Sequence, residues 1–409
     1  MRDVEEIKAA GLCAGCGLCA GVGNAAAPAI VMRDTAAGYR RPHVQAPVPA
    51  AQQALVDAVC PGVNIVHADS EIDAPYHPAW GPIVEARLGW STDMALRRQA
   101  SSGGGLSAVL LHLLAVGEVD YVVQTAVSDA SPLRNALRVS TGRDDVFQSA
   151  GSRYAPSSPL EDIAARLDAP GRFAFVGKPC DVAGLRALAR RDPRVGEKVP
   201  YMLAFMCAGV PSYRGTDAVL KAMGIDDPGA VVSFRYRGDG WPGFATATLP
   251  DGTSRQMDYN SSWGGILNRH LQFRCKICPD GTGEFADITF ADGWLCDERG
   301  YPLFEEQDGR SLVLTRTRKG EALLQAARAG GFIDVEAVTL DSIRHMQPFQ
   351  TRRKGFVQPR LAAMASVGLP LPRFRNLGLG AVRRQLGAKE ALRNYLGTLR
   401  RLVRKRRQD

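Results

Sequence analysis

An α/β fold with a mixed sheet, preceded by a cysteine-rich segment and closed by a helical basic tail, is predicted from three observations. Apolar runs alternate with amphipathic stretches from residue 86 to about residue 345. Three cysteines stand at two-residue spacing within the first twenty positions. The positive charge gathers at the C-terminal end.

Residues 1–85 read as a ferredoxin-like segment and linker. They are Pro- and Ala-rich, with a short helix up to Cys60 and a boundary-like stretch, Pro75-Tyr-His-Pro-Ala-Trp-Gly-Pro82. With so little apolar periodicity, the segment is expected to depend on a bound metal group for its order. Residues 86–345 carry the α/β pattern. Helices are predicted at 102–116, 159–167, 181–190 and about 320–329, and strands at 121–127, 172–177, 201–206, 288 and 312–315. Between 231 and 258, Gly-Asp-Gly and Asp-Gly turns split short strands into an antiparallel insertion. Residues 346–409 form the extension, in which Leu379, Val382, Leu386, Leu392, Leu396, Leu399, Leu402 and Val403 recur at helical spacing.

The net charge of +9 is unevenly divided. Residues 373–409 hold twelve Lys or Arg against two acidic residues, which leaves 39 of the 51 basic and 40 of the 42 acidic residues for the rest. The body is near neutral, so general nucleic-acid binding loses its support. The tail has the form of a helix that docks on an acidic protein partner, an anionic membrane surface or RNA, or simply packs on the body. No apolar run is long enough for a membrane helix, and the N-terminus lacks a signal core. A cytoplasmic chain is expected, with its nine cysteines reduced.

The run Cys13-Ala-Gly-Cys16-Gly-Leu-Cys19, with Cys60 followed by Pro61, is the ligand pattern of a ferredoxin-type 4Fe–4S cluster. Gly15 and Gly17 permit the tight backbone. Structural zinc sites favour paired C-x2-C motifs over three evenly spaced cysteines, so iron–sulfur is the reading preferred over zinc. A second set is Cys180, Cys207, Cys275 and Cys278, with Cys296 nearby. Cys180 and Cys207 each follow a predicted parallel strand and so emerge at the edge where ligands bind. Spacing alone leaves this set open between a second cluster, a zinc half-site and buried core thiols.

Ser101, Ser102, Gly103, Gly104 and Gly105 open a helix, where backbone N–H groups favour a phosphate. Arg153 and Tyr154 on a loop, and Lys178 at a strand end, would add charge and a ring. Together these eight could hold a pyrophosphate and stack an isoalloxazine ring. Gly-x-Ser-x-Gly is absent, which leaves a hydrolase elbow unsupported. Asp287 and Asp292 flank a strand and read best as turn formers. No catalytic acid or base is assigned.

These segments, with Phe205-Met-Cys207, Phe234-Arg-Tyr-Arg-Gly-Asp-Gly-Trp-Pro-Gly243 and Arg274-Cys-Lys-Ile-Cys-Pro-Asp280, resemble the coenzyme F(420) hydrogenase/dehydrogenase beta-subunit family. The form around Trp241 and the segment Gln347-Pro-Phe-Gln-Thr-Arg-Arg-Lys-Gly-Phe look most like members from bacterial exopolysaccharide clusters. The resemblance implies FAD, with contacts at Ser101–Gly105, Arg153/Tyr154 and Lys178, and one or two 4Fe–4S clusters. It matches the second cluster to Cys180, Cys207, Cys275 and Cys278. The expected function is therefore an iron–sulfur flavoprotein oxidoreductase that exchanges electrons with ferredoxin, the deazaflavin coenzyme or another reducible organic substrate. The rival expectations are a non-catalytic electron-transfer subunit and a zinc-stabilised scaffold.

Overall fold

The central element is an eight-stranded sheet, and a computed structural model describes it within residues 3–297, 303 and 305–406. Its strands are β1 (Glu85–Ser91), β2 (Tyr121–Ser128), β3 (Ser131–Ser140), β4 (Phe173–Gly177), β5 (Tyr201–Phe205), β6 (Ile288–Asp292), β7 (Ser311–Thr315) and β8 (Ile333–Ala337). Their spatial order is β8-β1-β7-β6-β5-β4-β2-β3. The middle four, β6-β5-β4-β2, run parallel, and the outer strands are antiparallel. The sheet is thus mixed, as expected, with its parallel part at the centre.

Burial on both faces explains why β4 reads as a continuous apolar run. Phe173 and Phe175 point to one side, into a core with Val182, Leu185 and Leu188 of the helix Pro179–Ala189. Ala174 and Val176 point to the other, against Val109 and Leu113 of the helix Gly105–Ala115 and Leu324 of the helix Arg318–Ala329. Helices on both faces of a parallel sheet leave its carboxyl edge as the open crevice.

The antiparallel insertion consists of Ser233–Arg235, Ala245–Thr248 and Ser254–Met257. Its Phe234 and Tyr236 pack on Tyr213, Val219 and Leu220 of the helix Tyr213–Ala222, making a second lobe beside the crevice.

The first 85 residues are more ordered than their composition suggests. They contain a hairpin (Ile30–Asp34 with Arg40–Val44) and the expected helix before Cys60, Ala50–Val59. This segment shares its core with the body: Cys16, Leu18, Val59 and Ile65 belong to the same apolar cluster as Phe173 and Phe175. At the other end, Arg373–Arg375 pairs in parallel with Asn64–Val66. The tail, expected as one or two helices, forms two, Leu379–Arg384 and Ala388–Arg406. Leu402 sits among Val4, Ile7, Leu12 and Cys13, so the last helix packs on the N-terminal segment. The tail's final residues, 407–409, lie outside the described residues. Among the described residues no helix is long and apolar enough to cross a membrane.

Candidate redox site

The cysteine loop Cys13–Cys19 turns on two left-handed glycines, Gly15 (φ 79°) and Gly17 (φ 87°). At Gly17 a Cβ would stand 2.8 Å from the Glu161 backbone nitrogen, so the position requires glycine. The loop is bolted to the body by hydrogen bonds from Leu160 N to Cys16 O (3.0 Å) and from Ser158 Oγ to Gly15 O (2.9 Å). The four thiols of this set are close enough to feel one another. Burial, and then the Cys13 charge, pushes the Cys60 thiol up to about 11. Burial likewise raises Cys16 and Cys19, with Cys60 adding to both.

Cys180, Cys207, Cys275 and Cys278 gather at the carboxyl ends of β4 and β5. Burial, then Cys275, pushes Cys207 up to about 12, and Cys207 and Cys278 both act on Cys180. Gly209 N and Val210 N donate to the sulfurs of Cys207 and Cys275, each at 3.3 Å. Cys296 stands apart from this set, its sulfur against the His345 and Trp294 carbonyls.

All nine cysteines are free thiols. Among the described residues no three His, Cys, Asp or Glu side chains already stand in metal-coordinating geometry. The donor chemistry nonetheless fits a soft metal group: two sets of four buried or half-buried thiols, the second with N–H donors aimed at its sulfurs.

Gln272 joins the two sets. Its Nε2 donates to Ala14 O (3.2 Å) in the first loop and to Cys275 Sγ (3.3 Å) in the second set, while Arg41 holds its Oε1 at 2.8 Å. Arg274, two residues on, clamps the Cys60 loop through Pro61 O (2.7 Å) and Gly62 O (3.2 Å). No signal in the sequence marks Gln272, because Cys275 is near it but Ala14 and Arg41 lie far away along the chain.

A cavity of about 590 Å³ opens at the same edge. Ser101, Ser102, Gly104, Gly105, Arg153, Tyr154, Lys178 and Cys207 line it. Gly103 stands behind the wall, where a Cβ would meet the Gly89 carbonyl at 2.7 Å. Gly104 (φ 70°) caps the helix Gly105–Ala115, whose first N–H groups face this space. The cations are already engaged. Lys178 bonds Asp181 (2.7 Å) and Ser157 (2.9 Å); burial works against its charge, and Asp181 more than offsets this. Arg153 spends its N–H groups on Asn135 Oδ1 and the carbonyls of Phe234, Pro132 and Arg134, so it braces β3 against the insertion.

Apart from Tyr154, the aromatic and cationic wall opposite was not assigned from the sequence. Tyr154 tilts on Trp263 at 4.7 Å, and Trp294 stacks on Trp241 at 4.7 Å. Arg237, 2% exposed, lies over Tyr259 (4.5 Å) and pairs with Asp292 at 2.9 and 3.0 Å. This corrects the reading of Asp292 as a turn former: it is the counter-ion of a buried guanidinium and also accepts from Trp241 Nε1 (3.0 Å). Asp287 likewise caps no simple turn; it accepts from Met202 N (2.9 Å) and Thr317 Oγ1 (3.0 Å). Gln347, Gln350 and Arg353, from the C-terminal extension, complete the rim.

A crevice at the carboxyl edge of a mixed sheet, with Cys207 on its wall, defines a mixed α/β class. The chain belongs to the coenzyme F(420) hydrogenase/dehydrogenase beta-subunit family: the N-terminal family model matches residues 86–164 and the C-terminal one residues 171–341. It is 25% identical over 297 residues to the coenzyme F(420) hydrogenase subunit beta of Methanococcus voltae, covering 69% of this chain and 95% of that one. To the F(420)-dependent formate dehydrogenase 1 subunit beta of Methanococcus maripaludis it is 23% identical, with 60% of each chain covered. The F(420)-dependent sulfite reductase of Methanocaldococcus jannaschii is 23% identical, over 62% of this chain but 38% of its own length. A solved structure of the F(420)-reducing [NiFe] hydrogenase complex from Methanosarcina barkeri contains a chain with the same fold. Its TM-score is 0.56 at 20% identity, over 73% of this chain and 98% of that one.

Proposed function

We propose that this chain is an iron–sulfur flavoprotein that moves electrons between two cysteine-held clusters and an FAD-bearing cavity, as the redox subunit or reductase of a larger system. The observation that carries the reading is the Gln272 bridge, which sets two four-thiol groups side by side, with Cys207 on the cavity wall. Cys13, Cys16, Cys19 and Cys60 would hold the first cluster, and Cys180, Cys207, Cys275 and Cys278 the second. When bound, the clusters supply one-electron steps and the flavin couples them to two-electron chemistry.

The chain's own residues do the positioning. Gly209 N, Val210 N and Gln272 Nε2 stabilise charge on sulfur. The Ser101–Gly105 turn offers backbone N–H groups to a pyrophosphate. The Tyr154, Trp263, Trp294 and Tyr259 wall excludes water from the crevice. A deazaflavin or another planar redox partner suits that aromatic wall, and redox-linked family relatives support this class of partner.

Iron, acid-labile sulfide and flavin analysis of anaerobically purified protein tests the reading. About eight irons and one flavin per chain are expected, and zinc without sulfide would overturn it. In Cys16→Ser, iron should fall by about half with flavin retained; flavin loss with intact iron contradicts the division of roles.

A further inference from the structure

The C-terminal extension lies beyond the family-matched residues and carries the chain's excess charge. It places that charge at the second thiol set. Arg360 of the helix Val357–Ala365 donates to the Lys276 carbonyl and to Asn394 Oδ1 (2.9 Å) on the last helix. Arg353 donates to the Cys275 and Cys207 carbonyls at 3.2 and 3.4 Å. The Cys275–Cys278 turn, which closes the short helix Phe273–Lys276, is therefore bolted to the basic extension through its own backbone.

Lys276, Arg360 and Arg401 gather on one seam: Arg360 reaches the Lys276 carbonyl and Asn394 of the last helix, where Arg401 stands seven residues further on. Arg393 and Arg400 are exposed on the same helix, seven residues apart and so on one face. Among the described residues no carboxylate lies within salt-bridge reach of these five; the helix's Glu390 pairs with Arg352 instead (2.6 Å). Beside them Leu392 and Leu396 are 57% and 51% exposed. An uncompensated cluster of cations costs stability in the free chain, and its field draws in an acidic surface.

We infer that this face, formed by the turn at Lys276 and the helix Ala388–Arg406, is the docking site for an acidic one-electron carrier protein. The inference rests on the redox reading above and adds the place of electron entry. A membrane surface would suit the basic helix alone. It does not account for the cations' attachment to the cysteine turn, which puts a docked protein within a few residues of Cys275 and Cys278. The small apolar centre with a charged rim suits a transient redox encounter.

The test uses full-length holoprotein and the double variant Arg393→Glu/Arg400→Glu, with an acidic two-iron ferredoxin as carrier and dithionite as small reductant. Ferredoxin-driven reduction of the wild type should slow as salt rises. In the variant it should be about tenfold slower or more at low salt and nearly salt-independent, with dithionite reduction unchanged. Equal ferredoxin rates in both proteins, with normal dithionite reduction, overturn the docking site and leave the redox reading standing. No dithionite-reducible chromophore in the wild type overturns both. Binding to phosphatidylserine-containing but not phosphatidylcholine vesicles that the variant loses, with ferredoxin rates unchanged, assigns the face to a membrane instead.

Discussion

Gln272 carries more than its size suggests, because one amide serves both thiol sets. Hydrogen bonds to ligating sulfur favour the more negative, reduced state of a cluster. Gln272→Leu is therefore expected to lower the midpoint potential associated with the second set while iron content holds; a potential at or above the wild-type value in redox titration counts against this role. Asp292 neutralises the buried Arg237, so Asp292→Asn should cost about 3 kcal/mol in urea unfolding, as for a buried pair with one partner removed. A loss below about 1 kcal/mol would mean that water reaches the guanidinium. Glu284 accepts from Lys354 (2.6 Å) and Tyr76 (2.8 Å) inside the protein. Burial alone would raise its pKa, but Lys354, followed by His67, outweighs burial and holds it at about 2. The folded value lies below the unfolded one, so this contribution is complete above about pH 4.5 and is lost as pH falls towards 2. It amounts to something on the order of 3 kcal/mol. Unfolding midpoints should be flat above pH 5 and decline below it, and Glu284→Gln should remove that decline.

Among the elements, the turn at Gly17 leaves no room for a side chain. Gly17→Ala meets both a positive φ and the Glu161 backbone, so iron at the first set should drop with the α/β body still folded, as measured by iron content beside circular dichroism. The elements legible in the sequence were those with their own period: the apolar run of β4, the helix Gly105–Ala115, and the tail helices. β1, β3 and β8 carried no such signal. Segments such as Arg134-Asn-Ala-Leu-Arg138 in β3 are strands only because a neighbour pairs with them. The same reason hid half of the cavity. Arg237, Tyr259, Trp263 and Trp294 lie on the insertion, a π-helical turn and a strand exit, and only tertiary packing brings them together. The two C-x2-C runs were legible because their spacing is written locally, whereas spacing alone left the grouping of Cys180 and Cys207 with Cys275 and Cys278 open. Arg153 and Lys178 do line the cavity, but the carboxylate and carbonyls that occupy them were not visible.

Across the whole molecule, the first and last segments hold each other. Arg373–Arg375 extends Asn64–Val66, and Leu402 fills the core around Val4, Ile7 and Cys13. A chain ending at residue 372 should keep its parallel sheet yet lose iron from the first set and become protease-sensitive before residue 85; unchanged iron would show that the N-terminal segment stands alone. This closure also has a consequence in time. Cys13 leaves the ribosome long before Leu402, which lies 389 residues further along the chain. Contacts so distant along the chain form slowly and late. The Cys13 loop therefore waits, incompletely walled, until the helix Ala388–Arg406 has been made and docked. On the proposed function, iron bound by that loop is held firmly only from that moment.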